Sequence, residues 1–282
     1  IIILRYLPEN IYPDWMQPSL PMTGPPRISG SAMPGGVFMS TGNARAPEGL
    51  MGELWLVGTG TSIAFLGSFG MALAFVISWL LEQVYGIPFA QVLLMFRTTV
   101  DPVAAPWVDV ALNLLILLSF LILMRITPLS GYHAAEHKVI GAVEHFGEPT
   151  EEYARMMPRA HRRCGTNLLA GLLPLLVLSE PLYRINPVLA LVVVVLGWQF
   201  RFIVGYFIQA IFATKEPNDR QLQAALRSAR LVLQRWQESG GKRVPPLVAF
   251  WRRGMLQMFG GMMIGLWLVH QLYAQLHVWL DF

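Results

Sequence analysis

The sequence predicts an all-α, polytopic membrane helix bundle of about five transmembrane helices, with cytoplasmic-side loops and an amphipathic interfacial helix. Three observations predict it. Of the 282 residues 54% are hydrophobic and 13% charged, where a soluble domain carries about 25% charged residues. Five apolar stretches are candidates for crossing hydrocarbon, which takes about 20 residues of helix because lipid cannot satisfy an exposed backbone, the second being short and Leu168–Leu182 the weakest. Lys and Arg collect in alternate connections between those stretches, as cytoplasmic loops do. The composition excludes an ordinary soluble enzyme, and a net charge of +4 excludes a disordered or histone-like chain. The single cysteine, Cys164, excludes an intrachain disulfide framework and any CxxC redox or zinc knuckle.

Residues 1–53 form a Pro/Gly-rich N-terminal segment, with Pro8, Pro13, Pro18, Pro21, Pro25, Pro26 and Pro34, which is neither a helix nor a central strand. Ile1 is not Met, and Ile1 to Leu4 is too short an apolar run for a signal peptide, so the start is expected upstream. Within this segment, Ile28 to Met39 mixes small and apolar residues and suits a close-fitting turn and short strand. Residues 54–124 hold the first two spans, Leu54–Leu81 without a charge and Val108–Met124 with only Asp109. Residues 125–167 are a cytoplasmic motif segment. Residues 168–212 hold the third span, Leu168–Leu182, interrupted by Pro174, Glu180 and Pro181 and able to be re-entrant, and the fourth, Val188–Phe212, with only Arg201. Residues 213–254 are basic, and residues 255–282 contain the fifth span, Met255–Leu280, with His270 and His277 near the interface.

Residues 1–53, 125–167 and 213–254 carry 3, 6 and 9 Lys and Arg, whereas the other connections hold only Arg97 and Arg184. That bias puts the N-terminus and the motif segment on the cytoplasmic side of the membrane. Asp109 and Arg201 are costly in lipid and are expected to pair or to mark a path. Gly261-x-x-x-Gly265 matches the small-residue motif for close helix contact or dimerisation.

After Pro217, Asn218 or Asp219 can cap a helix running to about Glu238. Leu222, Ala225, Leu226, Ala229, Leu233 and Trp236 share one face, with Arg220, Arg227, Arg230 and Arg235 largely elsewhere. Such a basic amphipathic helix either lies on anionic membrane lipids or packs on the protein. No recognition motif accompanies the charge, so nucleic acid is not an expected partner. Membrane lipids, other membrane proteins or a second copy of the chain are.

The chemistry concentrates in Ser130 to Gly147. Ser130 can start a helix and Gly147 can end it, and at 100° per residue His133, Glu136, His137, Ile140 and Glu144 share one stripe. Histidines one turn apart can meet one ion, and His-x-x-Glu-His is the order of inverted zincins. There the histidines ligate zinc and the glutamate takes a proton from water. A third ligand is expected from Glu144, or from His161 and Cys164 in the turn after Pro158. This donor set suits zinc, with iron or another divalent metal second.

At these residues the chain resembles the YqhQ-type bacterial membrane family, a domain of unknown function labelled a predicted metal-dependent enzyme. Three blocks carry the likeness: Gly30, Ala32, Gly36, Val37 and Met39; Tyr132 to Lys138 with Glu144, His161 and Arg163 to Thr166; and Gly205 to Gln209 with Thr214, Glu216, Pro217, Asp219 and Gln221. Gly35 and Gln223 stand where the family carries glutamates. The resemblance implies the same site residues: His133, His137, Glu144, His161 and Cys164 for the metal and Glu136 for catalysis. The expected function is therefore hydrolysis by metal-activated water. The alternative is a non-catalytic membrane accessory subunit or scaffold with a structural metal site, and the sequence names no substrate.

Overall fold

The computed structural model describes residues 26–86, 89–90, 105–240 and 244–279. The prolines before Pro26, together with Arg97, lie outside the described residues. The Gly-rich segment after Arg27 forms a hairpin of β1 (Ser29–Met33) and β2 (Gly36–Ser40), with β3 (Arg45–Ala46) against β2. A two-residue turn, Pro34-Gly35, joins β1 to β2, opposing Met33 to Gly36. The expected turn and short strand are therefore present.

Four helices are long and apolar enough to cross a membrane: α1 (Gly49–Tyr85), α2 (Ala105–Ile126), α7 (Pro187–Ile208), and α10 (Met255–Trp279). Outward side chains on them are apolar and open, such as Phe69 at 65%, Leu191 at 63% and Trp267 at 59% exposed. Such an outward-facing surface suits lipid rather than water. The remaining expected span is divided. Residues 165–185 form α5 (Gly165–Val177) and α6 (Ser179–Ile185), which meet at Leu178, and both pack on α7. Pro181, which has no N–H for the Val177 carbonyl and whose ring would crowd it in a continuous helix, accounts for the division.

Glycines set the tightest helix contact. A Cβ on Gly60 would fall 1.8 Å from the Met258 carbonyl oxygen, and one on Gly261 would fall 1.9 Å from that of Val57. Gly261 and Gly265 thus seat α10 on α1 of the same chain.

A compact layer beside the spans holds α3 (Leu129–Phe146), α4 (Glu151–Met156) and α8 (Asp219–Glu238) with the hairpin. Helix α3 is buried almost all round because Gly131, Ala134, Ala135, Gly141 and Ala142 let its neighbours approach closely. Helix α8 begins with the capping box of Asn218 and Gln221. Its Leu222, Ala225, Leu226, Ala229 and Val232 are buried in one core with Tyr132, Val139, Val143 and Met39. Of the two expected roles, the apolar face takes protein packing and leaves Arg220, Arg227 and Arg230 outward. Helix α9 (Pro246–Arg252) leads into α10.

Candidate metal centre

Helix α3 enters directly from the end of α2, so its first turns lie where the compact layer meets the membrane helices. Two other chain segments converge there. Cys164 is the N-cap of α5, and α7 ends in a π-helical turn, Gln209–Ala213. Such turns free backbone carbonyls from the helix ladder.

The Ala213 carbonyl accepts a hydrogen bond from His133 Nδ1 at 3.0 Å, and the Arg159 carbonyl accepts one from His137 Nδ1 at 2.5 Å. A carbonyl only accepts, so each Nδ1 carries the proton and each Nε2 is left for another partner. Nε2 of His133 lies 3.3 Å from Cys164 Sγ. One donor atom from each of His133, His137 and Cys164 fits within a 4.8 Å group. Carbonyls that fix the outer nitrogen while the inner nitrogens converge are how metal-binding histidines are oriented.

Burial opposes the charged forms throughout. Even so, the two imidazoles hold the Cys164 thiol well below its ordinary range, and the thiolate pushes His133 up to about 9 against burial. Burial and the neighbouring His133 charge lower His137. These shifts favour a thiolate beside an imidazolium, and the Thr166 backbone N–H also donates to Sγ at 3.4 Å. Two neutral imidazoles and a thiolate are a donor set that zinc fits, with the proton on His133 displaced.

Glu136 lies beside this group but outside it. Its side chain presses on β1, where a Cβ on Gly30 would fall 2.6 Å from Glu136 Cγ, and it accepts from the Ala32 backbone N–H. Burial raises it to about 7, with the Cys164 charge adding to the rise and His133 opposing it.

Glu144 and His161 are not among the three converging donors. They pair with each other, His161 Nε2 donating to Glu144 Oε2 at 3.0 Å, while Arg163 bonds the other carboxylate oxygen. His161 Nδ1 accepts from the Arg163 backbone N–H at 3.3 Å, so both ring nitrogens are engaged. Its ring centroid still lies 5.6 Å from that of His137.

Several positioning residues escape a reading of the sequence. Gln209, fully buried, donates to Asn167 at 3.1 Å and accepts from the His161 backbone N–H at 2.8 Å, which ties the π turn to the Cys164 loop. Lys138, also buried, pairs with Glu216 at 3.0 Å and donates to the Arg155 carbonyl. A lysine inside a buried helical stripe was the signal for this second contact; Gln209 gave none beyond its place in the third block.

A family model described as "Protein of unknown function (DUF1385)" matches residues 53–204, more than half of the chain. The chain belongs to this family. The matched region contains all three converging donors and Glu136, and it omits the hairpin against which Glu136 rests. A relative from Bacillus subtilis (strain 168), "Uncharacterized protein YqhQ", is 32% identical over 149 residues, covering 43% of this chain and 46% of the relative. The match thus spans about half of that relative's length. No solved structure matches the chain.

Proposed function

We propose that this protein is a metal-dependent hydrolase of the bacterial inner membrane, with its N-terminus and metal centre on the cytoplasmic side. His133, His137 and Cys164 would hold the ion, and zinc is the metal their donor set favours. The observation that carries the reading is the convergence of these three donors within 4.8 Å, with both imidazoles anchored at Nδ1. Bound there, zinc supplies a Lewis acid that brings the pKa of a coordinated water towards 7.

Glu136 is the general base. Burial holds its carboxyl near 7, where it can accept a proton from the attacking water and return it to a leaving group. The Ala32 N–H and the close pack of Gly30 fix its direction. Glu144 and His161 act as a neighbouring pair that steadies the Cys164 loop. Three protein donors leave a position for water or substrate, whereas a closed structural site uses four.

A second reading is favoured by the 3.3 Å approach of Cys164 Sγ to His133 Nε2 at a helix start, which also suits a thiolate nucleophile and its imidazolium. Cobalt substitution of the detergent-purified protein separates the possibilities. A thiolate-to-cobalt charge-transfer band whose accompanying d–d spectrum shifts on adding azide supports the open metal centre. A band indifferent to azide favours the structural site of an accessory subunit, and no cobalt uptake favours the thiolate nucleophile.

A further inference from the structure

Three guanidiniums gather where the hairpin meets the Cys164 loop and the foot of α10. Arg163, next to Cys164, donates through Nη2 to the Ile28 carbonyl at 3.0 Å, which brings it beside the neighbouring Arg27. Arg27 stands two residues before the Ser29–Ser40 pair of the hairpin, and Gly42 stands two residues after it. Gly42 rests on α9, where a Cβ would fall 3.2 Å from Ala249 Cβ. One turn on, the Arg253 backbone N–H donates to the Ala249 carbonyl at 3.0 Å, and the Arg252 guanidinium donates to the Asn43 carbonyl. The start of β1 is thus tied to Arg163 by a hydrogen bond and to Arg253 through the turn after β2. Burial, and then the charges of Arg27 and Arg253, hold the Arg163 guanidinium below its ordinary range, so the three charges share one locality.

The cluster carries an excess of positive charge. Glu144 is the acidic partner of Arg163, and both of its oxygens are engaged, one by Arg163 and the other by His161. Among the described residues no carboxylate pairs with Arg27 or Arg253, and both residues are exposed. Arg163 uses Nη2 for both of its side-chain contacts, and its side chain is 38% exposed. Like charges held in one place repel, and an anion bound among them offsets that repulsion.

The position of the cluster says which anion. Arg253 is followed by Gly254 and then by the membrane helix α10, and α9 before it exposes Leu247, Phe250 and Trp251. Exposed apolar and aromatic side chains next to arginines, at the end of a span, mark the headgroup layer. Arginine's planar fork matches phosphate oxygens in pairs. We propose that Arg27, Arg163 and Arg253 form a binding site for a phosphate group at the headgroup level, beside the Cys164 loop. An anionic phospholipid presents that group at this depth, and a soluble phosphate ester presents the same chemistry from the cytoplasm. The site stands on the three arginines and does not depend on a metal at the neighbouring centre.

The test uses the full chain, delipidated in detergent and titrated with phosphatidylglycerol or with phosphatidylcholine, whose choline offsets the phosphate charge. Both lipids carry identical acyl chains, and bound lipid is counted by native mass spectrometry. Wild type should prefer phosphatidylglycerol, and Arg27→Gln and Arg253→Gln should each weaken it about fivefold, the effect of one basic residue at an anionic surface. Both residues are exposed, so neither substitution removes a core contact. Arg220→Gln, on the outward face of α8, should bind as wild type does. Glycerol phosphate at the lipid's concentration should leave the lipid bound. Displacement by it, weakened in Arg27→Gln and Arg253→Gln, would sustain the site and make its ligand a soluble phosphate ester. Equal binding of the two lipids with no uptake of glycerol phosphate would overturn the site. So would wild-type binding by both Arg27→Gln and Arg253→Gln, or an equal loss in Arg220→Gln.

Discussion

Replacing Glu136 by Gln tests the burial of the proposed general base through stability, without knowledge of a substrate. Burial raises this carboxyl from 4.5 to about 7 in the metal-free protein. The side chain is 7% exposed, so water does little to screen the shift. Between these two values the folded state binds the proton and the unfolded chain has released it. Stability from this group is therefore fully present below pH 4.5 and declines as pH rises to about 7. At about 1.4 kcal/mol per unit, the decline amounts to about 3 kcal/mol. The assay is equilibrium unfolding of chelator-treated protein in mixed micelles across that window. Gln keeps an acceptor for the Ala32 N–H and has no proton to lose, so Glu136→Gln should gain on wild type by about 3 kcal/mol over the window. Parallel curves for the two proteins would refute the claim that this carboxyl is buried and raised.

Three further outcomes follow from packing and charge. Leu226→Ala on α8 should cost about 2–5 kcal/mol in the same unfolding assay, because the leucine is fully buried against the protein; a helix lying on lipid would show no such loss. Gly261→Leu should lower the unfolding midpoint while the mass by light scattering stays that of wild type, since the substituted side chain meets Val57 of the same chain. A change of oligomeric state at unchanged stability would instead make the motif a dimer contact. Metal-free protein should be alkylated by iodoacetamide at Cys164 even at pH 6, where an ordinary thiol is unreactive, and zinc should protect it. Equal labelling rates with and without zinc would count against Cys164 as a ligand.

Local chemistry made parts of this molecule legible in the sequence. The bounds of α8 follow from an Asn218 cap, a Gln221 partner and an apolar stripe, all within one stretch of chain. The hairpin follows from small residues around Pro34-Gly35. His133 and His137 share a helix face by periodicity alone, and Cys164 was among the few donors able to complete their set. Legibility ended where distant segments decide. Glu144 lies on the histidine stripe yet is drawn to His161 and Arg163 two turns from the converging donors. The Ala213 carbonyl that orients His133 depends on a π turn, for which no residue pattern is diagnostic. The stacking of Arg201 on the Trp198 and Phe202 rings of its own helix depends on side-chain packing, which hydropathy does not record.

The central claim is a three-donor metal centre made by His133, His137 and Cys164. Zinc stoichiometry by elemental analysis of purified wild type, His137→Ala, Cys164→Ala and His161→Ala tests it most directly. The account predicts one zinc per chain in wild type and in His161→Ala, and loss in the other two. Wild type without zinc after reconstitution, or zinc kept in both His137→Ala and Cys164→Ala, would contradict it.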